Sequence, residues 1–149
     1  QNHYRLPDEA MLDMGDFVGG LLKYFRKNPL PKITIGGGFG KLTKLAQGHL
    51  DLHSGRSQVD FKQLAEQLKK LGANHKLYEQ AKSANTANEV LKLAQQAGLP
   101  LADVIAQQAG LVVRKALRNT ETELNIMVIS GTSGVDRQGE LVGEAETEY

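Results

Sequence analysis

Glycine is most concentrated at residues 36–40, where four of the five positions are Gly. The residues just before this run, 32–35, read Lys-Ile-Thr-Ile, which is typical of a short β-strand. The residues that follow, 41–47, predict a helix. Because glycine permits a positive φ and a close approach of the backbone to a neighbour, we expect a strand that ends at a glycine-rich turn and leads into a helix.

A similar arrangement occurs nearer the start of the chain. Residues 10–14 predict a short buried strand, which Gly15 and Asp16 close. Asp16 can cap the next helix, because its carboxylate accepts hydrogen bonds from first-turn N–H groups, and Asn28-Pro29 ends that helix. Strand, helix, strand and helix in this spacing form a βαβ unit, which implies parallel strands and a right-handed crossover. The two glycine-rich strand ends are then neighbours at one edge of the sheet.

Capping signals divide the middle of the chain into helices. Asp60 and Gln63 form a predicted capping box, and so do Thr86 and Glu89. Pro100 opens a longer helix with an apolar stripe.

Strand signals return near the end of the chain. Residues 124–129 form a near-continuous apolar run, which predicts a strand buried on both faces. Residues 141–142 predict a short edge strand, and residues 144–149 an acidic tail.

These elements predict a single α/β domain over residues 1–149, a parallel-sheet, Rossmann-like layer with helices on both faces. The predicted strands are few for so many helices, and a parallel sheet needs covering on both faces. The chain also begins at Gln1 rather than Met. We therefore expect a fragment of a larger two-domain enzyme, with further strands supplied by sequence outside this chain.

Composition limits the classes of function. Hydrophobic residues make up 40% of the chain and charged residues 23%, as in ordinary folded domains. A net charge of +1 gives no strong field for a nucleic acid or a membrane surface, and we expect neither as a partner. The chain has no Cys, which excludes thiolate metal sites and Cys nucleophiles and fits a cytoplasmic protein.

The two glycine-rich strand ends are the first candidate site. In open α/β sheets, ligands bind outside the carboxyl ends of the strands, and the helix that follows each end directs free N–H groups to that point. The residues concerned are Gly15, Asp16, Gly36, Gly37 and Gly38. The alternative is a pair of tight turns without a ligand. A mononucleotide or dinucleotide site is not supported, since Ile35 and Lys41 stand where the phosphate-binding motifs need Gly.

Imidazole and carboxylate groups follow the glycine run closely. His49 and His53 flank Asp51, a spacing that can bind zinc from a helix but here lacks the remaining ligands. Hydrogen bonds within a loop, or to a polar substrate, are the favoured interpretation.

Cations also lie close to the glycine run in the sequence. They are Lys41, Lys44 and Arg56. An Arg suits the bidentate recognition of a carboxylate, while the alternative for each Lys is a solvated helix face.

Four segments of the chain resemble one enzyme family. They read DMGDFVGGLLKY, TIGGGFGKLTKLAQGHLDLHSGRSQVDF, ANTANEVLKLAQQAGLPL and VDRQGELVG. In this order they are similar to the C-terminal domain of the cobalt-precorrin-5B C(1)-methyltransferase family of anaerobic cobalamin synthesis. Residues 36–54 are the most specific part, and the substantial N-terminal region of the family has no counterpart here.

The resemblance implies a methyl transfer from S-adenosylmethionine to C(1) of cobalt-precorrin-5B, which gives cobalt-precorrin-6A. The donor is expected over the glycine-rich strand ends, and no protein-bound metal is expected. His49, His53 and Asp51 are then the candidate catalytic residues. Lys41, Lys44, Ser54 and Arg56 are the candidates for binding the carboxylates of the tetrapyrrole substrate.

Two other functions remain open on the residues alone. One is a non-catalytic ligand-binding or regulatory α/β domain with a glycine-rich anion or nucleotide site. The other is a nucleotide-dependent enzyme that uses Lys41 on a phosphate.

Overall fold

A computed structural model describes residues 9–13, 18–49, 59–118, 122–130 and 140–147. The elements in these ranges are, in chain order, β1 (Glu9–Asp13), α1 (Val18–Lys27), β2 (Lys32–Gly38), α2 (Phe39–Ala46), α3 (Phe61–Lys70), α4 (His75–Lys82), α5 (Ala87–Gln96), α6 (Leu101–Leu117), β3 (Glu123–Ser130) and β4 (Glu140–Thr147). None of the helices in the described ranges has the length and apolar character that crossing a bilayer requires.

The strands form one sheet of four in the order β1-β2-β3-β4. The first three are parallel, and β4 runs antiparallel to β3. Asp13 of β1 pairs with Gly36 of β2, so the carboxyl ends of these two strands lie at the same edge. The parallel strands of the predicted βαβ unit are therefore confirmed, while Gly15 and Asp16 lie outside the described residues.

The acidic tail predicted for residues 144–149 is wrong for its first four positions. Strand β4 continues through Thr147, and Glu144 pairs with Met127 of β3. A strand with a single neighbour needs few apolar side chains, because the backbone hydrogen bonds of the ladder hold it. The short strand expected at residues 141–142 was too short for the same reason.

One face of the sheet carries the core. Ile33 and Ile35 of β2 are completely buried, as are Leu124, Ile126 and Val128 of β3. Their registers match, since Ile33 pairs with Leu124 and Ile35 with Ile126. Successive side chains of a strand point to opposite faces, so these five lie on one face.

The opposite face of β3 is only partly covered. Asn125, Met127 and Ile129 are half-buried, although Thr34 beside Asn125 is buried. The prediction that β3 is buried on both faces is therefore wrong. An apolar run predicts a strand, but it does not predict which faces of that strand are covered.

In the described ranges, two helices contact the sheet and the others pack on helices. Helices α2 and α6 contact the sheet and each other, and α1 packs on α6. Helix α5 packs on α2 and α6, α3 packs on α6, and α4 packs on α3 and α5. A mixed α/β fold is confirmed. The Rossmann-like arrangement with helices on both faces is not confirmed in the described residues.

The capping signals are largely confirmed, with one change. The box of Thr86 and Glu89 is complete. The Asp60 carboxylate accepts from the N–H of Gln63 at 3.1 Å, but the N–H of Asp60 donates to Oε1 of Gln47 at 2.8 Å. The Gln47 side-chain amide in turn donates to the Asp60 carbonyl at 3.0 Å. Gln47 thus joins the end of α2 to the start of α3 and fixes both ends of the segment between them.

We predict that Asp60→Ala lowers the free energy of unfolding by about 1 kcal/mol, because it removes the cap of α3. Urea denaturation measures this loss, and Lys92→Ala, at an exposed position within α5, is the control for removing a side chain from a helix surface. An unchanged midpoint for Asp60→Ala would mean that the cap contributes nothing to stability.

Candidate functional site

The glycine run belongs to the sheet rather than to a turn. Strand β2 continues through Gly38, because Gly36, Gly37 and Gly38 pair with residues 127–129 of β3. The expected strand end at residue 35 is therefore wrong by three residues, and α2 begins at Phe39, two residues earlier than expected. The strand-to-helix connection has no loop, since Gly38 is both the last residue of β2 and the N-cap of α2.

Backbone conformation does not require these glycines. The described glycines with positive φ are Gly48, Gly72 and Gly98, each just after a helix, and none of them lies in β2. Gly38 has φ −69° and ψ 160°, an extended conformation open to other residues.

Packing within the described residues does not require Gly36 or Gly38 either. A Cβ atom at Gly36 would lie 3.9 Å from Cδ1 of Ile129, and one at Gly38 would lie 3.9 Å from the Ile129 carbonyl oxygen. Both are ordinary van der Waals distances. Glycine within a strand costs about 0.5–1 kcal/mol relative to Ala, so the presence of Gly36 and Gly38 favours a close approach by something outside the described residues.

Successive residues of β2 face opposite sides of the sheet, which determines the side on which the glycines lie. Gly36 and Gly38 lie on the face opposite Ile33 and Ile35, where their register partners in β3 are Met127 and Ile129. We call the four residues Gly36, Gly38, Met127 and Ile129 the glycine strip. It combines half-buried peptide backbone with half-buried apolar side chains, a surface suited to a flat, partly apolar group.

The N-terminus of α2 lies at the end of the strip. Its N-cap, Gly38, makes no side-chain capping hydrogen bond. The N–H groups of the first turn and the helix dipole favour an anion at this point. Lys41 is half-buried in the first two turns of α2, close to the same end, and it already has an interaction within the fold.

Other predicted residues lie farther from the strip. Lys44 is in the last turn of α2, and His49, half-buried, follows that helix with its N–H donating to the Lys44 carbonyl at 3.0 Å. The eight residues of α2 span about 12 Å at 1.5 Å per residue. The structure thus brings Gly36, Gly38 and Lys41 together but places Lys44 and His49 toward the opposite end of α2.

The remaining predicted residues, Asp51, His53, Ser54 and Arg56, lie outside the described residues. Across the described ranges, no group of three or more His, Asp and Glu side chains could hold a metal ion. Sequence reasoning did not identify Met127 and Ile129 as site residues. Their apolar run signals a strand but not the face of each side chain.

Comparison with known proteins identifies relatives for nearly the whole chain. The family model described as "CbiD, C-terminal domain" matches residues 51–146. A cobalt-precorrin-5B C(1)-methyltransferase of Rhodospirillum rubrum is 53% identical over 143 residues, which are 96% of this chain and 38% of that protein. Proteins of the same name from Paramagnetospirillum magneticum and Halorhodospira halophila are 51% and 46% identical, over 94% and 97% of this chain and 37% of each relative. No solved structure matches the chain significantly.

We predict that Gly36→Ala leaves the stability of the domain unchanged or raises its free energy of unfolding by up to about 1 kcal/mol. The added methyl group has room in the folded domain, and it lowers the conformational entropy of the unfolded chain. Gly98→Ala is the contrasting control, since φ is 72° at Gly98 and the substitution there is strained. Thermal unfolding compares the two variants. Equal destabilisation by both would show that Gly36 is required by the fold itself.

Proposed function

The chain belongs to the CbiD family, and on that premise we propose that the complete protein is an S-adenosylmethionine-dependent methyltransferase acting on C(1) of cobalt-precorrin-5B. The chain spans about 38% of the length of the curated relatives it matches. The catalytic activity is therefore proposed for the complete protein. This chain is proposed to supply the surface that binds the methyl donor. Family membership favours this function over a nucleotide-dependent enzyme.

The observation that carries the proposal is the presence of glycines in β2 that neither φ nor packing of the described residues explains. A bound S-adenosylmethionine supplies a methyl group on a sulfonium, which a nucleophilic ring carbon takes as the carbon–sulfur bond breaks and its electron pair stays on sulfur. The glycine strip fits the donor because a side chain at Gly36 or Gly38 would occupy the space above the strand. Met127 and Ile129 offer apolar contacts, and the N-terminus of α2 suits the carboxylate of the donor's amino-acid part.

Methyl transfer of this kind depends mainly on alignment of the two reactants, which can supply much of the rate. The protein has to bind and orient the two reactants and exclude water from them. A nucleophilic side chain is not needed. A proton acceptor can assist, and we assign that role to His53 with Asp51 or to His49. His49 lies at the far end of α2 from the glycine strip, and His53 and Asp51 lie outside the described residues.

Cations near the strip would hold the carboxylates of the tetrapyrrole. Lys41 lies closest to the strip, and Lys44 follows one turn later on α2. Ser54 and Arg56 belong to the segment whose ends Gln47 and Asp60 join through two hydrogen bonds. Ser54 and Arg56 themselves lie outside the described residues, so their assignment to the substrate rests on the sequence. We place the reaction in the cytoplasm, with no nucleic acid, membrane or protein-bound metal involved.

We predict that Gly36→Val in the complete protein weakens S-adenosylhomocysteine binding at least tenfold, because the branched side chain fills the space above the strand. Isothermal titration calorimetry measures the affinity. Val is well tolerated in strands, so the variant should still fold, and circular dichroism checks this. Gly98→Ala, which changes a glycine far from β2, should bind as the natural protein does. Unchanged affinity in Gly36→Val would place the donor elsewhere.

We further predict that Arg56→Lys weakens the affinity for a corrinoid about tenfold or more and leaves the affinity for S-adenosylhomocysteine unchanged. The change keeps the charge but removes the planar fork that binds a carboxylate through two hydrogen bonds. Titration of both ligands against the variant tests the assignment. An equal loss for both ligands, or for neither, would remove Arg56 from the carboxylate site.

A further inference from the structure

A concave surface separate from the glycine strip lies between α1 and the last two turns of α6. It is open to solvent and has a volume of about 370 Å³, within the usual range of roughly 300–1,000 Å³ for small-molecule sites. Four cations line it, namely Lys23, Arg26, Lys115 and Arg118. None of the lining residues in the described part of the chain is acidic. We call this surface the basic groove.

The floor of the basic groove is apolar. Leu22 is completely buried there, and Val112 and Ala116 are half-buried and pack against the core. Leu111, 65% exposed, lies one turn before Lys115 on the same side of α6. An apolar floor lined by several cations suits a ligand that has both an apolar body and anionic groups.

The backbone at Arg118 is an independent sign of function. This residue ends α6 in the left-handed conformation, with φ 55° and ψ 21°. After α2, α3 and α5 the positive φ is taken by Gly48, Gly72 and Gly98. A residue with a Cβ atom is less favourable there than glycine.

The helix dipole does not account for Arg118. Cations near a helix C-terminus are favourable, and α6 already has Arg114 and Lys115 in its last turn. A further cation is therefore not needed at the one position where glycine fits best. What distinguishes Arg118 from the three glycines is a cationic side chain, on a residue that lines the basic groove.

We propose that the basic groove binds a small amphipathic ligand that carries several carboxylates. Its apolar body contacts Val112 and Ala116, and its carboxylates bind the four cations, with Arg26 and Arg118 as the bidentate partners. The groove lies among the helices, on the other side of the sheet from the glycine strip. It is therefore a separate site and does not depend on the proposed methyl transfer. The volume of about 370 Å³ matches a small molecule, whereas an acidic peptide would extend beyond the groove.

The probe for this site is biphenyl tetracarboxylate, and its neutral tetraamide is the matched control ligand. We expect the complete protein to bind the tetracarboxylate and not the tetraamide in calorimetric titration. The double variant Lys23→Gln/Lys115→Gln should bind it at least about tenfold more weakly. The control double variant Lys76→Gln/Lys92→Gln makes the same change in net charge at exposed positions on α4 and α5 and should bind it as the natural protein does.

Arg118→Gly separates a binding role from a structural one. Glycine relieves the left-handed backbone, so the melting temperature should rise or stay the same while affinity for the tetracarboxylate falls. The proposal is overturned if the tetracarboxylate does not bind, if both double variants lose the same affinity, or if Arg118→Gly binds normally. Binding of an acidic peptide in place of the tetracarboxylate would also overturn it, in favour of a protein partner. Affinity for S-adenosylhomocysteine, measured on the same samples, reports on the methyl-donor site independently.

Discussion

The register between β2 and β3 determines the two faces of this domain. The strands pair over seven residues although about 90 positions separate them in the chain. Two hydrogen bonds fix the start of the pairing: the Thr122 hydroxyl donates to the Leu30 carbonyl at 2.7 Å, and the Glu123 N–H donates to the Pro31 carbonyl at 2.8 Å. A shift by one residue would exchange the faces of a strand, moving Ile33 and Ile35 out of the core and the glycines of the strip into it. The core and the candidate site therefore depend on the same register.

Local signals predicted much of the fold, and long-range pairing accounts for most of the errors. The Thr86 cap and the parallel pairing of β1 with β2 follow from residues close together in sequence, and both were predicted correctly. The end of β2 was misplaced because glycine weakens a strand in isolation, whereas here pairing with β3 extends it through Gly38. Strand β4 was mistaken in part for an acidic tail because its pairing with β3 is likewise invisible in its own composition.

In the candidate site, too, local features were predicted from the sequence and long-range contacts were not. The glycines were identified from sequence, since their density is a local property, although their place in a strand was not. The grouping of His49 with them assumed that neighbours in sequence are neighbours in space. Helix α2 intervenes, and its length of about 12 Å separates Gly38 from the residues that follow it. The basic groove could not be predicted at all, because its cations come from α1 and α6, and only the packing of those helices brings them together.

The packed face of the sheet explains how the chain tolerates a strand as rich in glycine as β2. The helix side holds a continuous core in which Ile35, Leu42 and Ile126 are completely buried. Burial of each such side chain contributes about 1.5–3 kcal/mol, which outweighs the roughly 0.5–1 kcal/mol lost at each strand glycine. Because Gly36 and Gly38 alternate with those core residues, they remove no apolar side chain from the packed face. Gly37 is the exception, because it lies on the packed face beside Val128 of β3 and leaves that position without a side chain. The loss on the packed face is thus confined to one position near the end of β2.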